Sequence, residues 1–139
     1  MSQADEHEQL VKVRVGTRHP VTLMFPDGSK RTIPPRVEDH SGVDYYPDLV
    51  RVKTERQDTG ADKGGFELCS QAIGEVFNLP AIEELDENEV VFVSGLVVSA
   101  LEAQGAFHYS GRVVAPGKTK RGEHGFPECI LSWTTVRAG

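Results

Sequence analysis

The segment VVFVSGLVVSAL, Val90–Leu101, decides the fold class, because a continuous apolar run passes directly into a helical pattern. Its first part, residues 90–94, shows no polar alternation, which is typical of a strand buried on both faces. The next apolar positions follow helical spacing: Leu96, Val97, Ala100 and Leu101. Ser94 is available as the N-cap of this helix, and Gly105 is suited to end it. The segment therefore predicts a central strand that leads into a helix over residues 95–104.

Short alternating segments before this centre predict strands. Leu10–Val15, LVKVRV, alternates apolar and basic residues, as a half-buried strand does. Val21–Ile33 contains two β-capable runs joined by Pro-Asp-Gly, and this pattern predicts a hairpin. Leu49–Lys53 predicts another strand. Residues 1–9 are polar and acidic, and we expect them to be disordered.

Two further segments carry turn and loop signals. Residues 36–48 predict a loop. Residues 54–65 combine charge and glycine without an apolar period, which predicts a mobile surface loop or a hairpin tip. The following FELCS and AIGEVFNLP predict β segments, with a bulge at Gly74.

The C-terminal part, GRVVAP and CILSWTTV, predicts a closing pair of strands around a turn. A chain of 139 residues fits one domain with a single core. We therefore expect one α+β domain over residues 1–139, made of mostly antiparallel β-sheet or a partly open barrel, with one short helix packed on it.

Composition excludes several classes of protein. The formal net charge of −6 argues against non-specific binding to nucleic acid, which depends on clustered Lys and Arg. The two cysteines, Cys69 and Cys129, make no disulfide framework, and no apolar leader precedes Leu10. The longest apolar run, Val90–Leu101, is too short to span a bilayer. We expect a cytoplasmic protein with reduced thiols and no membrane association.

The Gly117-Lys118-Thr119 sequence resembles the end of a phosphate-binding loop. That loop needs its first glycine at position 112, where this chain has Arg112, and Gly111 lies one residue too far away. The residues that follow contain two glycines and a proline where a helix must begin. The sequence predicts a turn between strands and no nucleotide hydrolysis.

No other motif predicts chemistry. Ser94 lies between a strand and a helix, as a hydrolase nucleophile does, but Phe92 and Leu96 occupy the glycine positions of that motif. The candidate metal ligands lack the paired spacing of structural zinc sites: Cys69, His108, His124 and Cys129. We predict no catalytic residue, no cofactor and no metal.

Two blocks of opposite charge are the remaining candidate binding features. The acidic block consists of Glu83, Glu84, Asp86, Glu87 and Glu89, and the basic block consists of Arg112, Lys118, Lys120 and Arg121. Each block is either an ordinary polar turn or a surface that steers a charged partner. The sign of the functional patch is open at this point.

Several segments of the chain carry a family resemblance. They are IGEVFNLP, VVFVSGLVVSAL, GRVVAPG and GFPEC, mainly within residues 72–130, with looser matches at HPVTLMFPDG and IPP. This set resembles an uncharacterised family of small proteins encoded by phages and integrated mobile elements. The chain departs from that pattern by inserting EAQGAFHYS before Arg112 and by lengthening the 36–48 loop. The family has no assigned activity, so the resemblance implies an origin and no catalytic residue.

Three functions follow as hypotheses. The first is a non-catalytic accessory protein of phage origin that binds and modulates a host or phage macromolecule, with a protein as the expected partner. The second is a module that binds or sequesters a small anionic, nucleotide-like ligand at Ser94 and Arg112. The third is a hydrolase with an unrecognised site. Self-association of the chain is left open.

Overall fold

The computed structural model describes residues 2–122 and 127–139. In chain order its helices and strands are α1 (Gln3–Leu10), β1 (Lys12–Val15), β2 (Val21–Met24), β3 (Lys30–Ile33), β4 (Glu38–His40), β5 (Val43–Tyr45), β6 (Arg51–Lys63), β7 (Phe66–Phe77), β8 (Glu89–Phe92), α2 (Gly95–Ala103), β9 (Val113–Pro116), β10 (Thr119–Arg121), β11 (Pro127–Ile130) and β12 (Trp133–Thr135). Two short 3₁₀ helices cover Ile82–Glu84 and Phe107–Tyr109.

A four-stranded sheet with the order β1-β8-β9-β12 forms the centre of the fold. Strand β8 pairs in parallel with both β1 and β9, and β12 closes the sheet antiparallel to β9. All four residues of β8 are buried. The predicted strand at 90–94, buried on both faces, is therefore confirmed in character, with its bounds at Glu89–Phe92.

Two apolar clusters pack on opposite faces of this central sheet. One cluster contains Val91, Val93 and Val113 and packs with Val97 and Leu101 of α2. The other cluster joins strands of the central sheet to those of a second sheet, through Val13, Val15, Val21, Leu23, Val90, Phe92, Val114 and Ile130. Successive residues of β8 point to opposite clusters because side chains alternate across a strand.

Helix α2 confirms the helix predicted after the central strand. It ends in a Schellman motif: the Ala106 amide donates to the Leu101 carbonyl at 2.9 Å, and the Gly105 amide donates to the Glu102 carbonyl at 3.1 Å. Gly105 has φ +71°, which suits glycine at this position. Ser94 occupies the N-cap position, but its side chain makes no capping hydrogen bond.

The second sheet has the order β10-β11-β2-β3. It contains the predicted hairpin, in which β2 and β3 pair antiparallel from Val21 opposite Ile33 to Met24 opposite Lys30. Gly28 supplies the positive φ of the turn, at +85°. The β2–β11 pair is parallel, which the sequence did not predict.

Residues Gln3–Leu10 form the helix α1, where the sequence predicted disorder over residues 1–9. The hairpin turn explains the helix, because side chains of the turn receive the free amides of α1. The Gln3 amide donates to Asp27 Oδ2 at 3.0 Å, and the Ala4 amide donates to Ser29 Oγ at 3.2 Å. Ala4 is buried against the body of the protein.

Residues 51–77 form a long two-stranded ribbon, in which β6 and β7 pair antiparallel and the turn lies at Gly64 and Gly65. The loop or hairpin tip expected at 54–65 is therefore most of a strand. The pairing register shifts near Gly74, where a bulge was predicted, and again between Asp58 and Ala61. A smaller hairpin, β4–β5, lies within the loop expected at 36–48.

The fold class is α+β, as expected, and antiparallel strand pairs outnumber parallel ones. One detail of the expectation differs, because the described residues contain two α-helices rather than one. Of the two strand arrangements expected, the mostly antiparallel sheet is the one observed.

Candidate functional site

The Gly-Lys-Thr sequence lies in a turn between two strands, as predicted. Gly117 follows β9, and Thr119 begins β10 rather than a helix. The Gly117 amide donates to the Ser132 carbonyl at 2.8 Å. A Cβ at Gly117 would lie 2.6 Å from Ser132 Oγ, so close packing explains this glycine without a phosphate.

The sequence grouped Arg112 with a basic block separate from the acidic one. In the structure the guanidinium of Arg112 instead donates to main-chain carbonyls of the acidic block. Its Nη2 donates to the Asp86 carbonyl at 2.7 Å, and its Nε donates to the Glu89 carbonyl at 3.1 Å. The two charge blocks therefore meet, and Arg112 closes the turn that carries the carboxylates. This contact is a structural role for Arg112.

Glu89 is a second correction, because it was grouped with solvated carboxylates and is only 2% exposed. Arg14 of β1 donates to both its carboxylate oxygens, from Nε at 3.0 Å and from Nη2 at 3.3 Å. The Asp86 amide also donates to Glu89 Oε1, at 3.1 Å. The pair is a bidentate ion pair beside the core. Sequence reasoning missed it because the pairing of β1 with β8 was not predicted.

The other carboxylates of the acidic block are exposed: Glu83, Glu84, Asp86 and Glu87. Asp86 accepts a hydrogen bond from Lys12 at 3.0 Å, which raises the pKa of that lysine. Burial, together with the negative charges of Glu83 and Glu84, raises the pKa of Tyr109. This surface is acidic and is partly neutralised by Lys12.

The rest of the basic block lies on an edge strand. Lys120 and Arg121 belong to β10, which is the outermost strand of its sheet, and Lys118 precedes it. All three side chains are exposed. Charged residues on an edge also discourage unwanted pairing with other strands. The position therefore fits either a binding surface or a protected edge.

Ser94 and Arg112 lie at opposite ends of the central strands, so the anion site predicted from them is not assembled. Ser94 instead lines a cavity of about 350 Å³ with other residues, including Arg18, His19 and Arg51. The cavity lies where the parallel strands β1 and β8 end, a common position for ligand sites. Neither Arg18 nor Arg51 forms an ion pair with a described residue.

At one wall of this cavity, Gly16 lies between Phe92 and Val50 and is hydrogen-bonded to both through its main chain; we call this close contact the crossing at Gly16. The Gly16 amide donates to the Phe92 carbonyl at 2.7 Å, and the Val50 amide donates to the Gly16 carbonyl at 3.0 Å. A Cβ at Gly16 would lie 2.9 Å from the Phe92 carbonyl oxygen. This crossing brings Arg18 and Arg51 to one cavity, although no sequence spacing links them.

The side chains that the sequence analysis weighed as metal ligands, and rejected, are not brought together in the described part of the chain. Cys69 is exposed on the ribbon, and Cys129 is buried in the second sheet. His124 lies outside the described residues. Within residues 2–122 and 127–139, no group of three or more His, Cys, Asp or Glu side chains is placed to hold a metal ion.

The ribbon formed by β6 and β7 is exposed over most of its length. Its base packs on α2, where the Gln104 amide nitrogen donates to the Gly74 carbonyl at 3.0 Å. All residues from Lys53 to Gln71 are exposed. We call residues 54–73 the arm.

One face of the arm carries an apolar stripe. Alternate residues of β7 point to the same face, so Phe66, Leu68, Ser70 and Ala72 lie together. Ala61 of β6 is the cross-strand partner of Leu68 and joins them. Phe66 is 80% exposed and Leu68 is 44% exposed.

Comparison of the chain with family models, curated proteins and solved structures found no match. Neither α-helix in the described ranges is long and apolar enough to cross a membrane. Among the surfaces that the described residues offer for binding are the arm, the basic edge strand β10, the exposed carboxylates of the acidic block and the cavity at Ser94.

Proposed function

We propose that this protein is a non-catalytic accessory protein that binds another macromolecule, with the arm as its contact element. The single observation that carries the proposal is the exposure of the arm on both faces over residues 54–71. We propose that it acts in the cytoplasm and, from the sequence resemblance, that a phage or a mobile element encodes it.

The physical argument is that a two-stranded ribbon gains little from its own pairing. An isolated hairpin in water is marginally stable, and a third strand or a packed face is needed for independent stability. The arm has neither, and its strands leave unpaired amides and carbonyls along both edges. A protein partner supplies what is absent, either by adding a strand or by covering the apolar stripe.

The remainder of the described structure supports binding rather than chemistry. Every fully buried side-chain nitrogen and oxygen among the described, non-exposed residues has a hydrogen-bond partner. The most buried charged group, Glu89, is neutralised by Arg14. The exposed cations Lys118, Lys120 and Arg121 steer an acidic partner and increase its association rate.

The test is to shorten the arm without changing its base. Glu55 and Ala72 are cross-strand partners, so replacing residues 56–71 with Asn-Gly gives a short hairpin in the same register. A partner captured from the host lysate and identified by mass spectrometry is purified, and its affinity is measured for both chains. We expect the shortened chain to lose binding by about tenfold or more.

A matched control removes charge and leaves the arm intact: Lys118→Ala, Lys120→Ala and Arg121→Ala together. We expect this variant to slow association and flatten its salt dependence while changing affinity less than arm shortening does. Equal affinity of the shortened chain and the full chain for the purified partner would refute the role of the arm.

The cavity at Ser94 favours a second candidate function, the binding of a small anionic ligand. Two arginines without ion pairs to described residues, Arg18 and Arg51, line that cavity with His19. The probe is inorganic pyrophosphate, and calorimetry measures the heat of its binding. Binding that Arg18→Ala and Arg51→Ala each weaken, and that Arg36→Ala does not, would support this function. No heat of binding to the full chain would reject it for this probe.

A further inference from the structure

The two edges of the arm differ, and the outer edge of β7 is the one open to pairing. Along β7, eight consecutive residues from Phe66 to Ile73 pair with β6 without interruption on their own strand. They contain no proline and one charge, Glu67. Natural proteins usually protect regular edges of this length that carry few charges, because such edges can pair with a strand of another molecule.

Strand β6 is protected by comparison. Its segment Thr54–Asp58 ends at a bulge on the same strand, where Thr59 and Gly60 have no partner on β7. The other shift, between Val52 and Thr54, places its extra residue on β7, beyond the regular segment Phe66–Ile73. That short segment carries three charges: Glu55, Arg56 and Asp58. Bulges and charges both hinder the addition of a strand. A partner strand is therefore expected along β7.

We propose that the arm pairs with the arm of a second copy of this chain, β7 against β7, about a twofold axis at Cys69. This inference rests on the proposed role of the arm as a protein-binding element. It assigns the β7 edge of the arm to a second copy of the chain. The result is a four-stranded antiparallel sheet with the order β6-β7-β7-β6. Such a sheet exceeds the minimum number of strands for independent stability.

The sequence of β7 is complementary to itself in this register. A twofold axis perpendicular to a sheet keeps each face on its own side, so a residue lies opposite one of the same face. With Cys69 at the axis, Leu68 lies opposite Ser70 of the second copy and Glu67 lies opposite Gln71. Phe66 lies opposite Ala72, which extends the apolar stripe across both copies.

Neighbouring registers are less favourable. With the axis at Gln71, only residues 69–73 of the regular segment overlap between the two copies. With the axis at Ser70, Glu67 lies opposite Ile73. With the axis at Leu68, the overlap of the two strands is shorter. The register at Cys69 is the longest one that places no charge against a like charge or an apolar residue.

The first measurement is the mass of the full chain in solution as a function of concentration, by analytical ultracentrifugation. We expect a reversible dimer. Cys69→Lys places two like charges opposite each other at the axis, while within one arm the new lysine faces Asp58, so the ribbon itself is retained. We expect this variant to raise the dimer dissociation constant by about fivefold.

The matched control is Gln57→Lys, which adds the same charge on β6, directly opposite Ser70 and away from the β7 edge. We expect its dissociation constant to stay within about twofold of the wild-type value. Equal weakening by Cys69→Lys and Gln57→Lys would overturn the proposal, because it would place the contact elsewhere.

A second measurement reads the register directly. Opposed residues of antiparallel strands have Cα atoms about 4.5–5.5 Å apart, within the range that a disulfide bridges. Mild oxidation of the full chain with diamide is expected to link two copies through Cys69. The link is expected to disappear in Cys69→Ser, which still sediments as a dimer. Cys129 is buried and serves as an internal control.

The outcomes separate this inference from the proposed function. A chain that is monomeric at all concentrations, or a dimer that Cys69 does not link, overturns arm-to-arm pairing. If such a chain still needs its arm to bind the captured partner, the proposed function stands alone. If instead the Cys69-linked dimer forms and the shortened chain keeps its captured partner, the inference stands and the arm has no role in partner binding.

Discussion

At the scale of single residues, the ion pair between Arg14 and Glu89 makes the sharpest prediction about stability. Arg14→Met leaves the Glu89 carboxylate buried beside the core without its counter-ion. We expect a loss of about 3 kcal/mol in the free energy of unfolding, at the lower end for broken buried pairs because Arg14 itself is partly exposed. Urea denaturation measures this loss.

The neighbouring pair provides the control. Lys12 and Asp86 are both largely exposed, at 59% and 63%, and water screens their attraction. We expect Lys12→Met to shift the urea midpoint much less than Arg14→Met does. If the two variants lose equal stability, the Glu89 carboxylate is solvated and its assignment to the core is wrong.

His7 makes the protein sensitive to pH in a defined direction. Arg31 Nη1 lies 3.1 Å from His7 Nδ1, and the ring contacts Phe25 and Trp133. Burial, and then the charge of Arg31, lower the pKa of His7 below 6.5. The unfolded chain therefore binds a proton at a higher pH than the folded chain does. Between the folded pKa and 6.5, stability falls as the pH falls.

The measurement compares urea midpoints at about pH 7.5 and about pH 5.5 for the wild type and for His7→Gln. Glutamine stays neutral and offers an oxygen to Arg31 at both pH values. We expect the wild type to lose more stability than the variant on acidification. A pH dependence that is the same in both proteins would mean that His7 is not protonated differently in the folded and unfolded chains.

At the scale of elements, helix α2 anchors one face of the central sheet. Leu101 is 3% exposed within the core, whereas Leu96, on the same helix, is 44% exposed. We expect Leu101→Ala to cost about 2–5 kcal/mol, because it leaves a cavity. Leu96→Ala serves as the control and is expected to stay within about 0.5 kcal/mol. Similar urea midpoints for the two variants would place Leu101 outside the core.

The elements that the sequence predicted are those whose pattern is local. The strand and helix around Ser94 and the hairpin at Val21–Ile33 each carry their periodicity or turn signal within a short window. Helix α1 was missed because the groups that satisfy its first amides, Asp27 and Ser29, belong to a distant turn. Strand β7 was predicted, as FELCS and AIGEVFNLP, but β6 was predicted only as far as Lys53, because residues 54–63 face solvent on both sides and show no apolar period.

The candidate site was harder to predict, because strand pairing brings its residues together. Glu89 meets Arg14 only because β1 lies beside β8, and Arg18 reaches Arg51 only through the crossing at Gly16. Parallel pairing of β1, β8 and β9 leaves no short-range signal in the sequence. The charge blocks were visible in the sequence, but the contact of Arg112 with the acidic turn was not.

At the scale of the whole molecule, the arm separates the stability of the body from the stability of the assembly. Residues 54–71 contribute little to the two apolar clusters, so their removal takes little from the core. At concentrations where the chain is monomeric, we expect the chain with residues 56–71 replaced by Asn-Gly to unfold within about 0.5 kcal/mol of the full chain.

The dependence of the melting temperature on protein concentration distinguishes the full chain from the shortened chain. A dimer that dissociates on unfolding is stabilised by mass action, so its melting temperature rises with protein concentration. We expect calorimetry to show this rise for the full chain, a smaller rise for Cys69→Lys, and none for the shortened chain. Gln57→Lys is expected to behave like the wild type, because its added charge lies one strand away from the β7 edge. A melting temperature that is independent of concentration in the full chain would contradict arm-to-arm pairing, since association that stabilises the folded state must appear in the melting temperature.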